Sequence, residues 1–590
     1  MERVSYAEAQ ALRDEQLAGL PPLRIVLLAN IVVNPLVAFL RHAAYRLGFR
    51  GECRIGQNDN VLQTALGSEP GLLGPETDVV LVFLKLETLS WPLARALPGL
   101  TPAQLHAEQD RVKAYVGDVL AGIRRQTPAT ILWYGFEQPL YPALGIADAQ
   151  RADGQLHTID TLNAAVRTLL QAHAGAYWID ADTCLGRIGE KAYYDLRYWH
   201  LGKAPYSLAA VREIADEIFK YVRALKGRNK KVLVLDCDNV LWGGTIGEDG
   251  LEGIRLGQTH PGSGYREFQQ EVLNLHSRGV VLALCSKNNE ADVWEVFDRH
   301  PDMLLGRRHF ATAQINWDDK ATNLRRIASG LNLGLDSVVF VDDSEFEANL
   351  IRQLLPEVEV LRVPSDTGVE HRTLLASCGW FDTLTLSAED RERGAAYQAE
   401  AERQRLRVAS DDLETYYRSL EMVPEIRLAD PLTIPRIAQL TQKTNQFNLT
   451  TRRYSDEEIS RLAASDSADV IWLRLRDRFG DAGIVGVCIL RYEDRRAIFD
   501  TLLLSCRVLG RGVEDAFVAY CLRRATSRGC ELAVGEYRPT QKNGQVSDFY
   551  PRRGFAPLPG DGDGKRFSIE LPANLEAPGF FARIESELVP

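Results

Sequence analysis

The chain has 590 residues and a formal net charge of −11, and 45% of its residues are hydrophobic. A chain of this length predicts about three or four domains, and its apolar fraction is ordinary for a globular protein. The acidic balance argues against a general binder of nucleic acid or of anionic membranes, which would be basic. Nine cysteines without C-x-x-C spacing favour free thiols in a reducing cytoplasm. The most hydrophobic segment, residues 25–40, is shorter than the ~20 apolar residues of a membrane span.

Residues 1–225 alternate between strand-like and helix-like segments. The aliphatic runs predict strands over residues 24–29, 78–84 and 129–134. The amphipathic or charged stretches predict helices over residues 35–47, 101–126, 160–174 and 207–226. This alternation predicts an α/β domain with a parallel sheet.

A small polar residue, Asn30, follows the first of these strands, and Asp195 and His200 come late in the region, within YYDLRYWHLG. This arrangement resembles a degenerate SGNH-hydrolase fold. No serine follows the first strand, and Asn30 cannot replace one as a nucleophile. We therefore expect a non-catalytic domain that serves as a docking surface or as a lid for the next domain, with His200 in a structural role.

The central region, residues 226–385, carries polar residues at the ends of three aliphatic runs. These runs, residues 232–235, 280–285 and 338–341, predict buried strands. The residues that follow them, together with a lysine that precedes the last run, are Asp236, Cys237, Asp238, Ser286, Lys320, Asp342 and Asp343. In an open parallel sheet, ligands bind just past the carboxyl ends of the strands. Carboxylates there can hold Mg²⁺, which shares them with phosphate oxygens, so the pattern predicts chemistry on a phosphorylated substrate.

This ordered set of residues resembles the four motifs of the haloacid dehalogenase (HAD) superfamily of phosphotransferases, over roughly residues 230–385. The resemblance implies that Mg²⁺ is held by Asp236, by the backbone carbonyl of Asp238 and by the acidic pair. Within that pair, Asp343 is favoured over Asp342 as the ligand. The predicted cofactor is therefore Mg²⁺.

The chemistry of each side chain indicates a role. Asp236 is the expected nucleophile toward phosphorus and would form an aspartyl-phosphate. The side chain of Asp238 is expected to remain free as general acid and base. Ser286 can donate a hydrogen bond to a phosphoryl oxygen, and Lys320 can neutralise developing negative charge.

The spacing of these motifs limits what covers the site. Ser286 lies 50 positions after Asp236, and Lys320 lies 34 positions after Ser286. Neither interval has room for a large cap domain once a strand and a helix are counted. We therefore expect a Rossmann-like core with an open site, so that either the substrate is bulky or neighbouring domains close over it.

The stretch around the nucleophile, DCDNVLWGGTIGEDG, resembles the FkbH-like branch of the superfamily. That resemblance implies a reaction with 1,3-bisphosphoglycerate in polyketide biosynthesis. The phosphates are removed, the glyceryl group is held as a cysteine thioester, and it passes to the phosphopantetheine thiol of an acyl carrier protein. Cys237 is the first candidate for the thioester and Cys506 the second. The alternative is that Cys237 fills an apolar slot, as most free cysteines do.

Residues 386–412 are charged and poor in apolar residues, which predicts an exposed linker helix. Residues 413–590 then form a further mixed α/β unit. Its aliphatic runs predict strands over residues 470–476, 484–492 and 497–504, and a helix follows over residues 513–528.

Between the last of these strands and the helix lies an R-x-x-G-x-G motif, which resembles the acyl-CoA loop of the GNAT acetyltransferase fold. The resemblance implies that a phosphopantetheine arm is bound by Arg507, Gly510, Gly512 and Asn543, with Tyr550 as general acid. The glycines would let backbone N–H groups approach a phosphate at a helix N-terminus. The segment KTNQFNLTTRRY, residues 443–454, also resembles FkbH-like sequences. It either binds the acyl group or the pantetheine amides, or forms a capped turn.

Three functions remain open from the sequence. The favoured one is an enzyme that loads a glyceryl group onto an acyl carrier protein. The second is a Mg²⁺-dependent phosphatase of another small phosphorylated acid. The third is a CoA-dependent acyltransferase, or a scaffold whose HAD domain is vestigial.

Overall fold

The structure, a computed structural model, describes residues 4–364, 367–386, 403, 406–407, 412–505, 508–559 and 564–586. The chain forms two compact units, Met1–Arg223 and Ala224–Pro590. The predicted multi-domain α/β fold is confirmed, because three sheets with flanking helices are present. The division into an N-terminal domain, a central domain, a linker and a C-terminal domain stays a prediction. Most of the predicted linker lies outside the described residues.

The first unit is built on a parallel five-stranded sheet in the order β2-β1-β3-β4-β5. Its strands are β1 Pro22–Ala29, β2 Arg50–Ile55, β3 Val79–Phe83, β4 Thr130–Tyr134 and β5 Ala176–Ile179. Its helices are α1 Tyr6–Gln10, α2 Asp14–Leu17, α3 Leu36–Arg46, α4 Val61–Ala65, α5 Leu86–Leu89, α6 Trp91–Arg95, α7 Pro102–Gln126, α8 Gln155–Gln171, α9 Ala181–Ile188, α10 Glu190–Tyr193, α11 Leu196–Gly202 and α12 Leu208–Leu225. Apolar clusters on both faces of the sheet bury its aliphatic strands, as expected for a parallel sheet.

The central sheet is also parallel and five-stranded, in the order β10-β9-β6-β7-β8. Its strands are β6 Val232–Leu235, β7 Val281–Ser286, β8 Phe310–Ile315, β9 Val338–Asp342 and β10 Glu359–Arg362. Its helices are α13 Ile246–Gly253, α14 Gly262–Ser277, α15 Glu290–Arg299, α16 Lys320–Gly330, α17 Glu345–Leu354 and α18 His371–Ser377. Only α13 and α14 lie between β6 and β7, which agrees with the expectation that no large cap is inserted there.

The C-terminal sheet is mixed, in the order β16-β17-β15-β14-β13-β12-β11-β18. Its strands are β11 Val423–Leu428, β12 Ala468–Asp477, β13 Gly480–Glu493, β14 Arg496–Leu504, β15 Leu532–Tyr537, β16 Ala556–Leu558, β17 Lys565–Glu570 and β18 Glu585–Ser586. Its helices are α19 Leu413–Ser419, α20 Ile434–Lys443, α21 Asp456–Ala463 and α22 Val513–Ser527. The parallel pairing of β14 with β15 stops at Phe499 and Gly535, so the two strands separate beyond that point.

The sequence located the strands with long aliphatic runs and missed shorter or more polar ones. The edge strand β2, with the sequence RGECRI, is half exposed and has no apolar run to reveal it. Helix α8 begins at Gln155 rather than near residue 160. The side chain of Gln155 is buried and donates to the carbonyls of Leu93 and Ala94, a tertiary contact that extends the helix. In the part of the chain that is described, no helix is both long and apolar enough to cross a membrane.

Candidate active site at the carboxyl edge of the central sheet

Three adjacent strands bring the predicted side chains to one edge of the central sheet. β6 pairs with β7 on one side and with β9 on the other, all in parallel. Asp236 directly follows β6, Ser286 is the last residue of β7 and Asp342 is the last residue of β9. These strands are buried on both faces, so the chain leaves the core at the same level in each and its first polar residues converge.

Lys320 reaches this edge from the N-terminus of α16. The side chain of Asp319 caps the helix by accepting the Thr322 N–H at 2.8 Å, which makes Lys320 its first residue. The Lys320 ammonium is buried and donates to Asp236 Oδ2 at 2.7 Å and to Asp342 Oδ2 at 2.6 Å. Lys320 therefore ties the ends of β6 and β9 together.

Three carboxylates share this small volume. One oxygen from each of Asp236, Asp342 and Asp343 lies within 4.8 Å of the others. Burial, followed by repulsion from Asp236, raises the pKa of Asp342 to about 7 and also raises the pKa of Asp343. The pKa of Lys320 is raised as well, because Asp236 and Asp342 outweigh the effect of burial. Three acids against one lysine leave excess negative charge, which a divalent cation with oxygen ligands would offset.

The hydrogen bonds separate the two members of the acidic pair. Asp342 uses Oδ2 to accept from Lys320 and Oδ1 to accept the Ser344 N–H at 2.8 Å. A side-chain hydrogen bond from Asn239 acts on Asp343 and lowers its pKa against the effect of burial. The carboxylate of Asp343 is thus less committed than that of Asp342, and which of the two holds a metal stays a prediction.

The side chain of Asp238 is held by hydrogen bonds, and its role as general acid and base stays a prediction. Its Oδ1 accepts from Trp242 Nε1 at 2.9 Å and from the Ile246 N–H at 3.1 Å. Its Oδ2 accepts from Asn288 Nδ2 at 2.9 Å. Burial raises the pKa of Asp238 in spite of these donors. The carboxyl group is held in place, and its protonated form is favoured relative to an exposed aspartate.

Ser286 is buried beside this group, and its Oγ accepts from Asn288 Nδ2 at 3.2 Å. Asn288 therefore bridges Ser286 and Asp238, a role that the sequence analysis missed. Asn239 was missed as well; it adopts a left-handed backbone with φ of 54°, and its Oδ1 accepts the Gly244 N–H at 2.9 Å. Asn239 directly follows Asp238, and Asn288 lies two positions after Ser286. This closeness to predicted site residues was the signal by which the sequence could have identified them.

Cys237 has no exposed surface. Alternate residues of a strand face opposite sides of the sheet, and Leu233, Leu235 and Cys237 all enter the same core cluster, which contains Trp242. Burial and the charge of Asp236 raise the pKa of the thiol well above its usual range. The alternative reading, in which this cysteine fills an apolar slot, describes its surroundings in the structure.

The predicted arm-binding glycines lie at the start of α22. Gly510 and Gly512 both have positive φ, 72° and 73°, and Gly512 is the residue before the helix. The Gly510 N–H, however, donates to Glu514 Oε1 at 2.8 Å, and Phe580 packs so closely on Gly512 that a Cβ there would lie 2.6 Å from its ring. A carboxylate of the chain itself thus accepts one of the N–H groups expected for a phosphate, and an aromatic ring packs on the second glycine. Arg507 and Cys506 lie outside the described residues.

Asn543 and Tyr550 are both buried within the C-terminal domain. Asn543 donates to the carbonyls of Asn448 and Arg538, and its Oδ1 accepts the Thr540 N–H at 2.7 Å, so its amide serves internal contacts. The Tyr550 ring packs against Phe555, with ring centroids 5.0 Å apart. Its hydroxyl is buried without a hydrogen-bond partner among the described residues, and burial raises its pKa well above the usual range.

The segment Phe447–Leu449, within the asparagine-rich stretch noted in the sequence, fills the gap between β14 and β15. The Leu504 N–H donates to the Phe447 carbonyl at 3.0 Å, and the Leu449 N–H donates to the Leu502 carbonyl at 3.1 Å. On the other side of the gap, the Arg538 N–H donates to the Leu449 carbonyl at 2.8 Å. This segment therefore pairs along the open side of β14 and ties it to the end of β15.

The residues singled out in the first unit serve local structure. The Asn30 side chain exchanges two hydrogen bonds with the backbone of Lys85, at 2.7 and 3.1 Å. Asp195 caps α11 by accepting the Tyr198 N–H at 3.2 Å. His200 lies on the exposed surface of that helix.

No family model and no curated protein matches this chain. Among solved structures, the chain is similar to the N-terminal part of the protein BF1531 from Bacteroides fragilis, which contains a phosphatase domain and was crystallised with Mg. The two are 26% identical with a TM-score of 0.57, and the match covers 65% of this chain and 100% of that one. This likeness supports the prediction of a HAD-like phosphatase fold.

Matches of lower score involve acetyltransferases. They include the ribosomal-protein-S18-alanine N-acetyltransferase from Escherichia coli, at 13% identity and a TM-score of 0.21 over 25% of this chain and 94% of that one. A GNAT-family acetyltransferase from Streptococcus pneumoniae matches at 12% identity and a TM-score of 0.20, over 25% of this chain and 98% of that one. TM-scores this low do not bear on function, so the GNAT-like, SGNH-like and FkbH-like resemblances stay predictions.

Proposed function

We propose that the central domain is a Mg²⁺-dependent phosphotransferase with Asp236 as its nucleophile. The observation that carries this proposal is the grouping of three carboxylates around one buried lysine at the carboxyl edge of a parallel sheet. Asp236, Asp343 and the backbone carbonyl of Asp238 would hold the metal. Bound Mg²⁺ would offset the repulsion between these carboxylates and a phosphate.

The side chains of the site supply both halves of a phosphate-ester hydrolysis. An oxygen of Asp236 bonds to phosphorus as the bond from phosphorus to the leaving oxygen breaks, and that oxygen takes a proton from Asp238. A water molecule then attacks the aspartyl-phosphate, gives a proton back to Asp238 and releases phosphate. Burial raises the pKa of Asp238 against the effect of the N–H donors that hold it, and the raised pKa suits a group that starts protonated.

The more specific proposal is that the substrate is 1,3-bisphosphoglycerate and that the glyceryl group is loaded onto an acyl carrier protein. Its support is the DCDNVLWGGTIGEDG stretch and the chemistry of an acyl phosphate, whose carbonyl a thiolate can attack with loss of phosphate. The burial of Cys237 weighs against that residue as the attacking thiol unless the segment after β6 moves. Phosphate release without acyl retention, the activity of a simple Mg²⁺-dependent phosphatase, is therefore the second candidate function.

The test is to incubate the full chain with Mg²⁺ and enzymatically generated 1,3-bisphosphoglycerate, and to measure released phosphate and the masses of the protein and its peptides. Asp236→Asn should lower phosphate release by roughly a thousandfold or more, because the nucleophile is lost. Asp298→Asn, at an exposed aspartate on α15, is the matched control and should leave the rate unchanged.

The masses separate the candidates. A glyceryl adduct on Cys237 or Cys506 supports carrier loading and places the thioester. Phosphate release with no adduct supports the simple phosphatase. Release that persists in Asp236→Asn contradicts the proposed nucleophile, and no release at all contradicts 1,3-bisphosphoglycerate as the substrate. An adduct that forms equally in Asp236→Asn supports an acyltransferase independent of the HAD site.

A further inference from the structure

A second lysine lies at the carboxyl edge of the central sheet, outside the residues discussed so far. Lys287 directly follows Ser286 and precedes Asn288. Its ammonium group donates to Glu347 Oε1 at 2.6 Å, and its side chain is 34% exposed. Lys287 is thus held in place and can still be reached from solvent.

The Lys287–Glu347 ion pair lies beside the nucleophile. Lys287 follows β7 and Glu347 lies in the first turn of α17, which follows β9. β6 runs between these two strands, and neighbouring strands are about 4.8 Å apart. The pair therefore joins the ends of the two strands that flank Asp236, and forms part of the rim of the same site.

Lys320 and Lys287 differ in how many of their N–H donors already have an acceptor. The ammonium of Lys320 is buried between Asp236 and Asp342. An ammonium group has three N–H donors, and Glu347 is the one acceptor that Lys287 contacts within the described part of the chain. Lys287 thus retains donors for a ligand, whereas Lys320 serves the nucleophile.

Glu347 keeps Lys287 at this position. The residue is 7% exposed, and its second oxygen, Oε2, is buried without a hydrogen-bond partner among the described residues. A buried carboxylate without a cation is costly, so Lys287 is favoured next to Glu347 with or without a ligand. The cation is positioned before the substrate arrives, which reduces the entropy that binding must overcome.

We propose that Lys287, positioned by Glu347, binds a second anionic group of the substrate, a carboxylate or a second phosphate. The central domain would then select phosphorylated acids over simple phosphate monoesters. This inference rests on the proposed function, because it requires the phosphoryl group to lie at Asp236. It also names the substrate class: a small molecule with a phosphoryl group at one end and an anionic group a few bonds away.

Two ligands that differ in one group test this inference: 3-phosphoglycerate and glycerol 3-phosphate, in which a hydroxymethyl group replaces the carboxylate. Their binding is measured by calorimetry with Mg²⁺ on the full chain carrying Asp236→Asn, so that neither is turned over. The parent should bind 3-phosphoglycerate roughly tenfold more tightly than glycerol 3-phosphate, as expected for a hydrogen bond between charged groups. Adding Lys287→Gln should remove that preference and leave glycerol 3-phosphate within about twofold of its parent affinity.

Two further variants separate recognition from folding. Lys287→Arg keeps the charge and should keep most of the preference. Lys113→Gln removes a lysine that is also ion-paired and 34% exposed, but that lies on α7 of the first unit, and it should change neither affinity.

A parent without preference for 3-phosphoglycerate, or a preference that survives Lys287→Gln, overturns the inference. The binding ratio requires no turnover, so it can fail or succeed independently of the phosphate-release assay that tests the proposed function.

Discussion

The N-terminal and central sheets are both parallel and five-stranded, with different strand orders, and their carboxyl edges differ in charge balance. In the N-terminal sheet, Glu137 follows β4 and its side chain is 4% exposed. It accepts from the ammonium of Lys85, which follows β3, and from the hydroxyl of Tyr193 at 3.1 Å. The acid is matched by a cation and a hydroxyl of the domain itself.

In the central sheet, three carboxylates face one lysine, and the charge is left unmatched. Both edges are where ligands bind in sheets of this type. The difference shows that the position in the fold provides a possible site, whereas the unmatched charge of the side chains there creates the need for a ligand. On this basis we propose that the central edge binds a cation and a phosphate, and that the N-terminal edge holds a stabilising ion pair.

The largest expected effect comes from removing the cation at the carboxyl edge of the N-terminal sheet. Lys85→Met should lower the free energy of unfolding of the first unit by about 3–5 kcal/mol, because it leaves the buried Glu137 carboxylate without its cation. Chemical denaturation followed by fluorescence measures this change. Lys113→Met, which removes an exposed ion pair with Asp110, is the control and should change stability by less than about 1 kcal/mol.

The same Lys85 variant should release phosphate at the rate of the unmodified chain at temperatures where it remains folded. A loss of activity without a loss of stability would show that the N-terminal edge takes part in the reaction.

The second prediction concerns the carboxyl edge of the central sheet. Mg²⁺ at about 100 times its Kd should stabilise the folded central domain by about 2.7 kcal/mol, because it binds the folded chain alone. Thermal melting with Mg²⁺ and with a chelator measures this difference. Asp343→Asn should abolish the increment, and Asp298→Asn should retain it. An equal increment in the two variants would remove Asp343 from the metal site.

The smallest expected effect extends the comparison to a buried carboxylate outside these two sheet edges. Asp469 in the C-terminal domain is buried, but Arg524, Arg528 and Tyr492 outweigh burial and lower its pKa to about 2. A carboxylate whose pKa is lowered in the folded state stabilises the protein above its unfolded pKa of about 4. That stability, about 1–2 kcal/mol after screening, is lost as the pH falls from about 4 toward 2.

Asp469→Asn should remove this part of the acid sensitivity, measured as the slope of the unfolding free energy against pH. Asp466→Asn, at an exposed neighbour, should leave the slope unchanged. Equal slopes in all three proteins would mean that the arginine cluster does not lower the pKa of Asp469.

The sequence predicted the strands of the central site and the convergence of Asp236, Ser286 and Asp342, because parallel strands end at a common edge. It did not predict the contact of Lys287 with Glu347, which joins residues 60 positions apart. It also favoured Cys237 as the thioester residue over the alternative of an apolar slot, although strand alternation puts every second residue on the opposite face.

The C-terminal domain shows why glycine patterns are weaker predictors than strand ends. The motif around Gly510 and Gly512 folds into the expected turn before a helix, since local sequence determines turn and cap. What occupies the turn is decided by Glu514 and by Phe580, which arrives from 68 positions later in the chain. Contacts at that separation leave no local trace in the sequence.

The segment of residues 447–449 would limit how quickly anything could enter the gap between β14 and β15. A guest that pairs with β14 there must first break the hydrogen bonds that this segment makes with Leu502 and Leu504. Entry would therefore be governed by local opening of the protein rather than by diffusion, with an association rate that stops rising as the guest concentration increases. The amide protons of Leu449 and Leu504 would report that opening directly, because they exchange with solvent only when the segment leaves.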